Sequence, residues 1–233
     1  MKMMHDVAVV VTDVENLKRN LLLFTQVKDL EIPTLLVINM SDQMKRKGIS
    51  LDIEALEKQL DTKIALISTR ENEGVEELKT LILNYRQLST QHSISLTSID
   101  EEYFKNLEKA FPNQSLYKLW LVITQDVNFA KIDRKRVSDA TNFKTQSESY
   151  LKRLQQKETV KRYQFINSVL KTTLVIDRAS ATDLRSRLDR VLIHKFWGYG
   201  IFFVILMTIF QSIFDWSSIP QDFIDTTFAT LSE

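Results

Sequence analysis

The chain has 233 residues, with 31 Lys and Arg against 30 Asp and Glu, and its formal net charge of +1 gives no sign of a nucleic-acid binder. It contains no cysteine and only three histidines, His5, His92 and His194, far apart in sequence, so disulfides, thiol catalysis, thiolate metal sites and a His-pair metal site are excluded within these residues. The four glycines, Gly48, Gly74, Gly198 and Gly200, make neither a phosphate-cradling loop ending in Gly-Lys-Ser or Gly-Lys-Thr nor a Gly-x-Gly-x-x-Gly turn.

Residues 7–11, VAVVV, read as a β-branched strand, after which Thr12 or Asp13 offers an N-cap to an amphipathic helix bearing Leu17, Leu21 and Phe24 on one face. The alternation repeats twice. TLLVI (34–38) precedes a helical face of Ile53, Leu56 and Leu60, and IALI (64–67) precedes Val75, Leu78, Leu81, Ile82 and Tyr85 at helical spacing. Uninterrupted apolar runs alternating with amphipathic helices indicate parallel strands covered on both faces, hence an α/β sheet. With only three strands and nothing before the first, the opening residues read as an interior point of a larger domain.

Residues 87–99 are polar and without helical period, and a boundary is placed there. Beyond it the pattern is helical: Leu116, Leu119, Trp120 and Ile123 on one face, Val137, Ala140 and Phe143 on another, and Tyr163, Ile166, Leu170 and Leu174 on a third. Residues 196–214, FWGYGIFFVILMTIFQSIF, carry no charge and as a helix would extend about 28 Å, close to the hydrocarbon thickness of a bilayer. Arg178, Arg185, Arg187, Arg190 and Lys195 precede this run, and no Lys or Arg follows it, so the positive-inside rule places everything before it in the cytoplasm. Trp197 and Trp216 bracket the run as an aromatic belt. Met1, Met3 and Met4 read as a frayed terminus rather than a soft metal site.

Ligands of open parallel sheets bind beyond the carboxyl ends of the strands. Asn39-Met40-Ser41-Asp42 follows TLLVI, and Ser68-Thr69-Arg70 follows IALI. A carboxylate at Asp42 can accept from both N1–H and the exocyclic amine of guanine, a donor pair that adenine lacks. Asn39 would hold the loop and the purine edge, and backbone N–H groups near Thr69 would meet O6. No catalytic or metal-ligating set is legible.

DVENLKRNLLL, IPTLLVINMSD and KIALISTRENEGVEELK resemble the second half of the G domain in the ferrous-iron transport protein B family, including its fourth and fifth guanine-nucleotide motifs. KRYQFIN (161–167) resembles the end of that family's helical regulatory domain, and LDRVLIHKFWGYGIF (188–202), with Phe210, Gln211 and Pro220, is similar to the start of its first transmembrane helix. The resemblance implies a partial P-loop GTPase-type α/β sheet, then an all-α helical bundle and one transmembrane helix. Its expected parts are the C-terminal half of a G domain (1–88), a connector (89–99), a helical regulatory domain (100–176), a basic juxtamembrane segment (177–195), the span (196–214) and a periplasmic segment (215–233). It implies guanine-nucleotide contacts from Asn39, Met40, Asp42, Ser68, Thr69 and Arg70, with GTP or GDP as ligand. Met40 stands where many GTPases have Lys, and its flexible apolar chain can still pack on the base.

The phosphate loop, the switch threonine loop and the DxxG segment are missing from these residues, so the chain is expected to be a fragment that is inactive in GTP hydrolysis by itself. Mg²⁺ is expected in the full-length protein, with no ligands in this chain. The family setting is a bacterial inner membrane, with Fe²⁺ as the transported substrate passing through transmembrane regions absent here. A small cytoplasmic accessory protein and a homo-oligomer are its other implied partners. The alternative is a membrane-tethered adaptor that binds a partner protein and no nucleotide.

The charge asymmetry around residues 196–214 yields a topology test. A reporter fused after Glu233 is expected to behave as periplasmic and one inserted near Ser93 as cytoplasmic; cytoplasmic readings from both would mean that the run does not cross the bilayer.

Overall fold

The computed structural model describes residues 6–125, 127–129, 132, 135, 137, 143–177, 192–215, 223–224 and 227–228. Expectations for Met1, Met3, Met4, Ala140, Arg178, Arg185, Arg187, Arg190, Trp216 and Pro220 lie outside these residues. The chain divides into two compact units, Met1–Ser180 and Ala181–Glu233.

In the first unit β1 (Ala8–Asp13), β2 (Thr34–Asn39) and β4 (Ile64–Leu66) form a parallel sheet in the order β1-β2-β4. Ala8 stands opposite Thr34, and Leu36 opposite Ile64. The central strand is closed on both sides. Leu36 and Ile38 meet Leu17, Leu21 and Phe24 of α1 (Leu17–Lys28) and Leu56 and Leu60 of α3 (Ile53–Leu60). Leu35 and Val37 face the other way, where Leu78, Leu81 and Ile82 of α4 (Val75–Leu83) cover them. Burying these four aliphatic side chains of β2 contributes about 6–12 kcal/mol of transfer free energy before chain entropy is counted. α4 does not reach across β1, whose Val9 and Val11 remain 38% and 60% exposed.

Two local details differ from the sequence reading. β1 runs on through Thr12 and Asp13, and the α1 N-cap is Asn16. Asp13 instead accepts hydrogen bonds from the Asn16 backbone N–H at 2.7 Å and from its side-chain amide. A second sheet was also not anticipated: β3 (Ile49–Leu51) pairs antiparallel with β5 (Leu174–Ile176). Leu174 therefore belongs to a strand and not to the helical face assigned to it.

α5 (Glu101–Ala110) and α6 (Leu116–Thr124) enclose a separate core with the N-terminal part of α7 (Glu148–Thr173). Its centre is aromatic: Tyr103, Phe104 and Trp120 meet edge to face, with ring centroids 5.2–6.2 Å apart. Trp120 is a core residue, as its spacing predicts. Val137 and Phe143 are buried in this core as well, although Phe143 lies in a non-helical stretch. α7 then leaves the bundle, and its Ile166, Val169 and Leu170 join α1 and α3 under the sheet.

In the second unit α8 (Trp197–Asp215) is one 19-residue helix at the place where a span is expected. Among the described residues, however, no helix is long and apolar enough to cross a membrane.

Asp100 ties the bundle together. It caps α5 by accepting from the Tyr103 N–H at 3.0 Å and also accepts from the Tyr150 hydroxyl of α7 at 2.7 Å. The Tyr150 bond, then the backbone bond, hold its pKa below the ordinary carboxylate value. A lowered folded-state pKa means stabilisation that is present above the unfolded-state value and lost as pH falls through the folded one. Asp100→Ala is expected to cost about 1–3 kcal/mol at neutral pH. In urea titrations that difference should shrink as pH falls through and below the carboxylate range; a difference independent of pH would place the effect elsewhere.

Candidate functional site

The residues marked in the sequence meet at the carboxyl ends of β2 and β4. β2 is buried as far as Ile38, and Asn39 is the first side chain to emerge. Met40 then adopts the left-handed region with φ 65°, turning the chain directly into α2 (Ser41–Lys47) with Asp42 in its first turn. A non-glycine residue in this region is strained and is held there by its surroundings. The Ser41 N–H anchors the turn by donating to the Ile67 carbonyl at 3.0 Å.

From β4 the chain continues through Ile67 to Ser68, which is fully buried. The Ser68 hydroxyl donates to Asp42 Oδ1 at 3.1 Å and accepts from the Glu71 N–H at 3.2 Å. Asn39 spans the gap between the two loops: its Oδ1 accepts from the Thr69 N–H at 3.2 Å, and its Nδ2 donates to Thr69 Oγ1 at 3.3 Å. Asp42 has a side chain only 6% exposed, and Arg70 Nη1 stands 3.9 Å from its Oδ2. Asn39, Asp42, Ser68, Thr69 and Arg70 are thus in one place, and Met40, 45% exposed, lies beside them.

Three participants were not singled out from sequence. Gln43 Nε2 donates to Asp42 Oδ2 at 2.7 Å, so both carboxylate oxygens are oriented by neighbours. A carboxylate has about four acceptor positions, so capacity remains for an incoming donor pair. Glu73 exchanges two backbone hydrogen bonds with Ser68, at 3.1 and 3.0 Å, closing the loop that carries Thr69 and Arg70. Gly74 completes this closure at φ +72°. One of only four glycines, immediately before the helical stripe that begins at Val75, was the available signal for it. Among the described residues no group of three or more His, Cys, Asp or Glu is placed to hold a metal ion.

Sheet order and strand direction define an α/β domain with a parallel sheet, the class in which ligands bind beyond the carboxyl ends of the strands. Residues 1–82 match the family model described as Ferrous iron transport protein B. The Fe(2+) transporter FeoB of Leptospira biflexa is 28% identical over 98% of this chain, and that of Campylobacter jejuni 27% identical over 98%. The cytosolic domain of the T. maritima FeoB iron transporter in its GMPPNP form superposes with a TM-score of 0.63 at 21% identity, covering 75% of this chain and 69% of that one. The cytosolic domain of L. pneumophila FeoB gives a TM-score of 0.55 at 24% identity over 75% of this chain and 70% of that one. By these matches residues 1–82 are similar to the ferrous-iron transport protein B family model, and nearly the whole chain is similar to curated FeoB transporters. It spans about a third of the length of the curated relatives, 35% for L. biflexa and 29% for C. jejuni.

Gly74 offers a direct test of the loop. A Cβ at this position would lie 2.4 Å from the Leu66 carbonyl oxygen, a backbone atom of β4, and the positive φ adds its own strain. Gly74→Ala is expected to destabilise the fold by about 1–3 kcal/mol, read as a lower urea midpoint. An unchanged midpoint would mean that the loop adjusts freely around Ser68.

Proposed function

We propose that this chain is part of a GTP-regulated Fe²⁺ uptake transporter of the bacterial inner membrane, and that it contributes the base-reading half of the nucleotide site. The carrying observation is the convergence of Asn39, Asp42, Ser68 and Thr69 from two adjacent strand ends, with Asp42 oriented by Ser68 and Gln43. Asp42 would accept from the two guanine donors, Asn39 and Thr69 would hold the purine edge, and Met40 and Arg70 would flank the base. The phosphates and Mg²⁺ would be held by residues outside this chain.

In this reading residues 1–88 are the C-terminal half of a G domain, joined by the 89–99 connector to a helical regulatory domain over 100–176. That domain relays the state of the nucleotide site toward the membrane region. The basic segment 177–195 leads into a first membrane-crossing helix over 196–214, and 215–233 continues on the periplasmic side. The charge asymmetry and the position of α8 support this orientation.

Titrating the 233-residue chain in detergent micelles with GDP, ADP and XDP, followed by amide NMR, tests the base assignment. GDP is expected to shift the Asn39, Asp42 and Thr69 signals, and ADP to leave them in place. Asp42→Asn should weaken GDP binding by about 1–3 kcal/mol and raise relative acceptance of XDP, whose altered edge suits the amide. Equal responses to GDP and ADP, or GDP binding unchanged by Asp42→Asn, would leave Asp42 as a helix-start residue only.

A further inference from the structure

α7 carries Glu158 and Arg162 one turn apart on its buried face, where apolar side chains are the rule. Arg162 is fully buried. Its Nη1 lies 2.7 Å from Oδ2 of Asp29, the residue that closes α1. Its Nε donates to Glu158 Oε1 at 2.9 Å, and Glu158 Oε2 accepts from Trp120 Nε1 of α6 at 2.6 Å. The Tyr117 ring, also on α6, has its centroid 5.0 Å from the guanidinium carbon. One cation therefore gathers groups from the sheet layer, the bundle and the helix between them.

The connector is fastened to the same place. The Ser93 N–H donates to Asp29 Oδ1 at 2.6 Å, and Ser89 bonds Asp61, whose carbonyl and carboxylate also hold Lys28, the residue before Asp29. On the outer side His92 Nε2 lies 3.4 Å and Lys118 Nζ 3.9 Å from Glu31. Burial opposes the charge on Arg162, yet Asp29, Tyr117 and Glu158 outweigh it and raise its pKa.

The cluster is held by charge more than by a full set of bonds. The Nη1 contact with Asp29 is close but poorly aligned for a hydrogen bond, and Nη2 has no hydrogen-bond partner. Losing either sign of charge here leaves the other buried and unpaired. The bundle and the sheet layer meanwhile have separate cores.

We infer that the Asp29–Arg162–Glu158 cluster is a release joint. While its charges are paired, bundle and connector are held on α1; when the pairing is broken, the bundle parts from the sheet layer with both cores intact.

Hydrogen exchange on the full 233-residue chain in detergent micelles tests this. Arg162→Met should raise exchange in residues 89–99 and in α6 at least about tenfold while β2 keeps its protection. Arg162→Lys, able to pair with one carboxylate but not to bridge both, should give an intermediate rise in the same segments. An equal rise in β2, or no rise in the connector, would overturn the joint. If Arg162→Met does not fold, the triple variant Asp29→Asn, Glu158→Gln, Arg162→Met removes both signs of charge together and should fold with the same regional pattern. Parent-like connector exchange in the triple variant, or its failure to fold, also overturns the proposal, since the cluster would then be either irrelevant to docking or inseparable from the cores.

Discussion

A strand buried on both faces must keep charged side chains out until it leaves the sheet, and β2 does so over its whole enclosed length. The position of the candidate site follows from that. Asn39 is the first polar residue after the enclosed aliphatic run Leu35–Ile38, and the left-handed Met40 turns the chain before α2 can carry Asp42 away from the strand end. β4 delivers Ser68 to the same level because it pairs with β2 in register. Side chains that are 30 residues apart in sequence, Asn39 and Thr69, are in this way brought within hydrogen-bonding distance.

The sheet's other debt is to the end of α1. Two consecutive charged residues there, Lys28 and Asp29, are each 1% exposed and point to different layers. Lys28 satisfies the carbonyls at the end of α3, where the helix leaves them without partners. Asp29 faces Arg162 and the connector. Burial raises the Asp29 pKa, although the guanidinium beside it pulls the other way. Desolvation is thus the larger influence, and the carboxylate is kept by its partners rather than by its surroundings.

The parts legible in the sequence were those in which periodicity and burial agree. β2, β4, α3 and α4 carry unbroken apolar runs or clean helical stripes, and the loops after β2 and β4 could be inspected as soon as the strands were placed. The α7 connection was not legible, because Glu158 and Arg162 are spaced as an ordinary solvent-exposed i, i+4 pair while lying on the inward face. β3 and β5 escaped because three-residue strands are too short to show alternation, and their partners are more than 120 positions apart. At the site, Gln43 could not be found from spacing, since only the fold shows which polar neighbour reaches the second oxygen of Asp42.

The length of α7 has a mechanical meaning. Its 26 residues make a rod about 39 Å long, fixed near its middle at Arg162. The arm toward Glu148 measures about 21 Å and the arm toward Thr173 about 16 Å at 1.5 Å per residue. It is a lever with nearly equal arms. A tilt of about 10° around that fulcrum moves the two tips roughly 3–4 Å in opposite directions, which exceeds the reach of a hydrogen bond. One tip lies at the bundle and the other runs into β5, so such a tilt would be felt as a change of pairing at both ends.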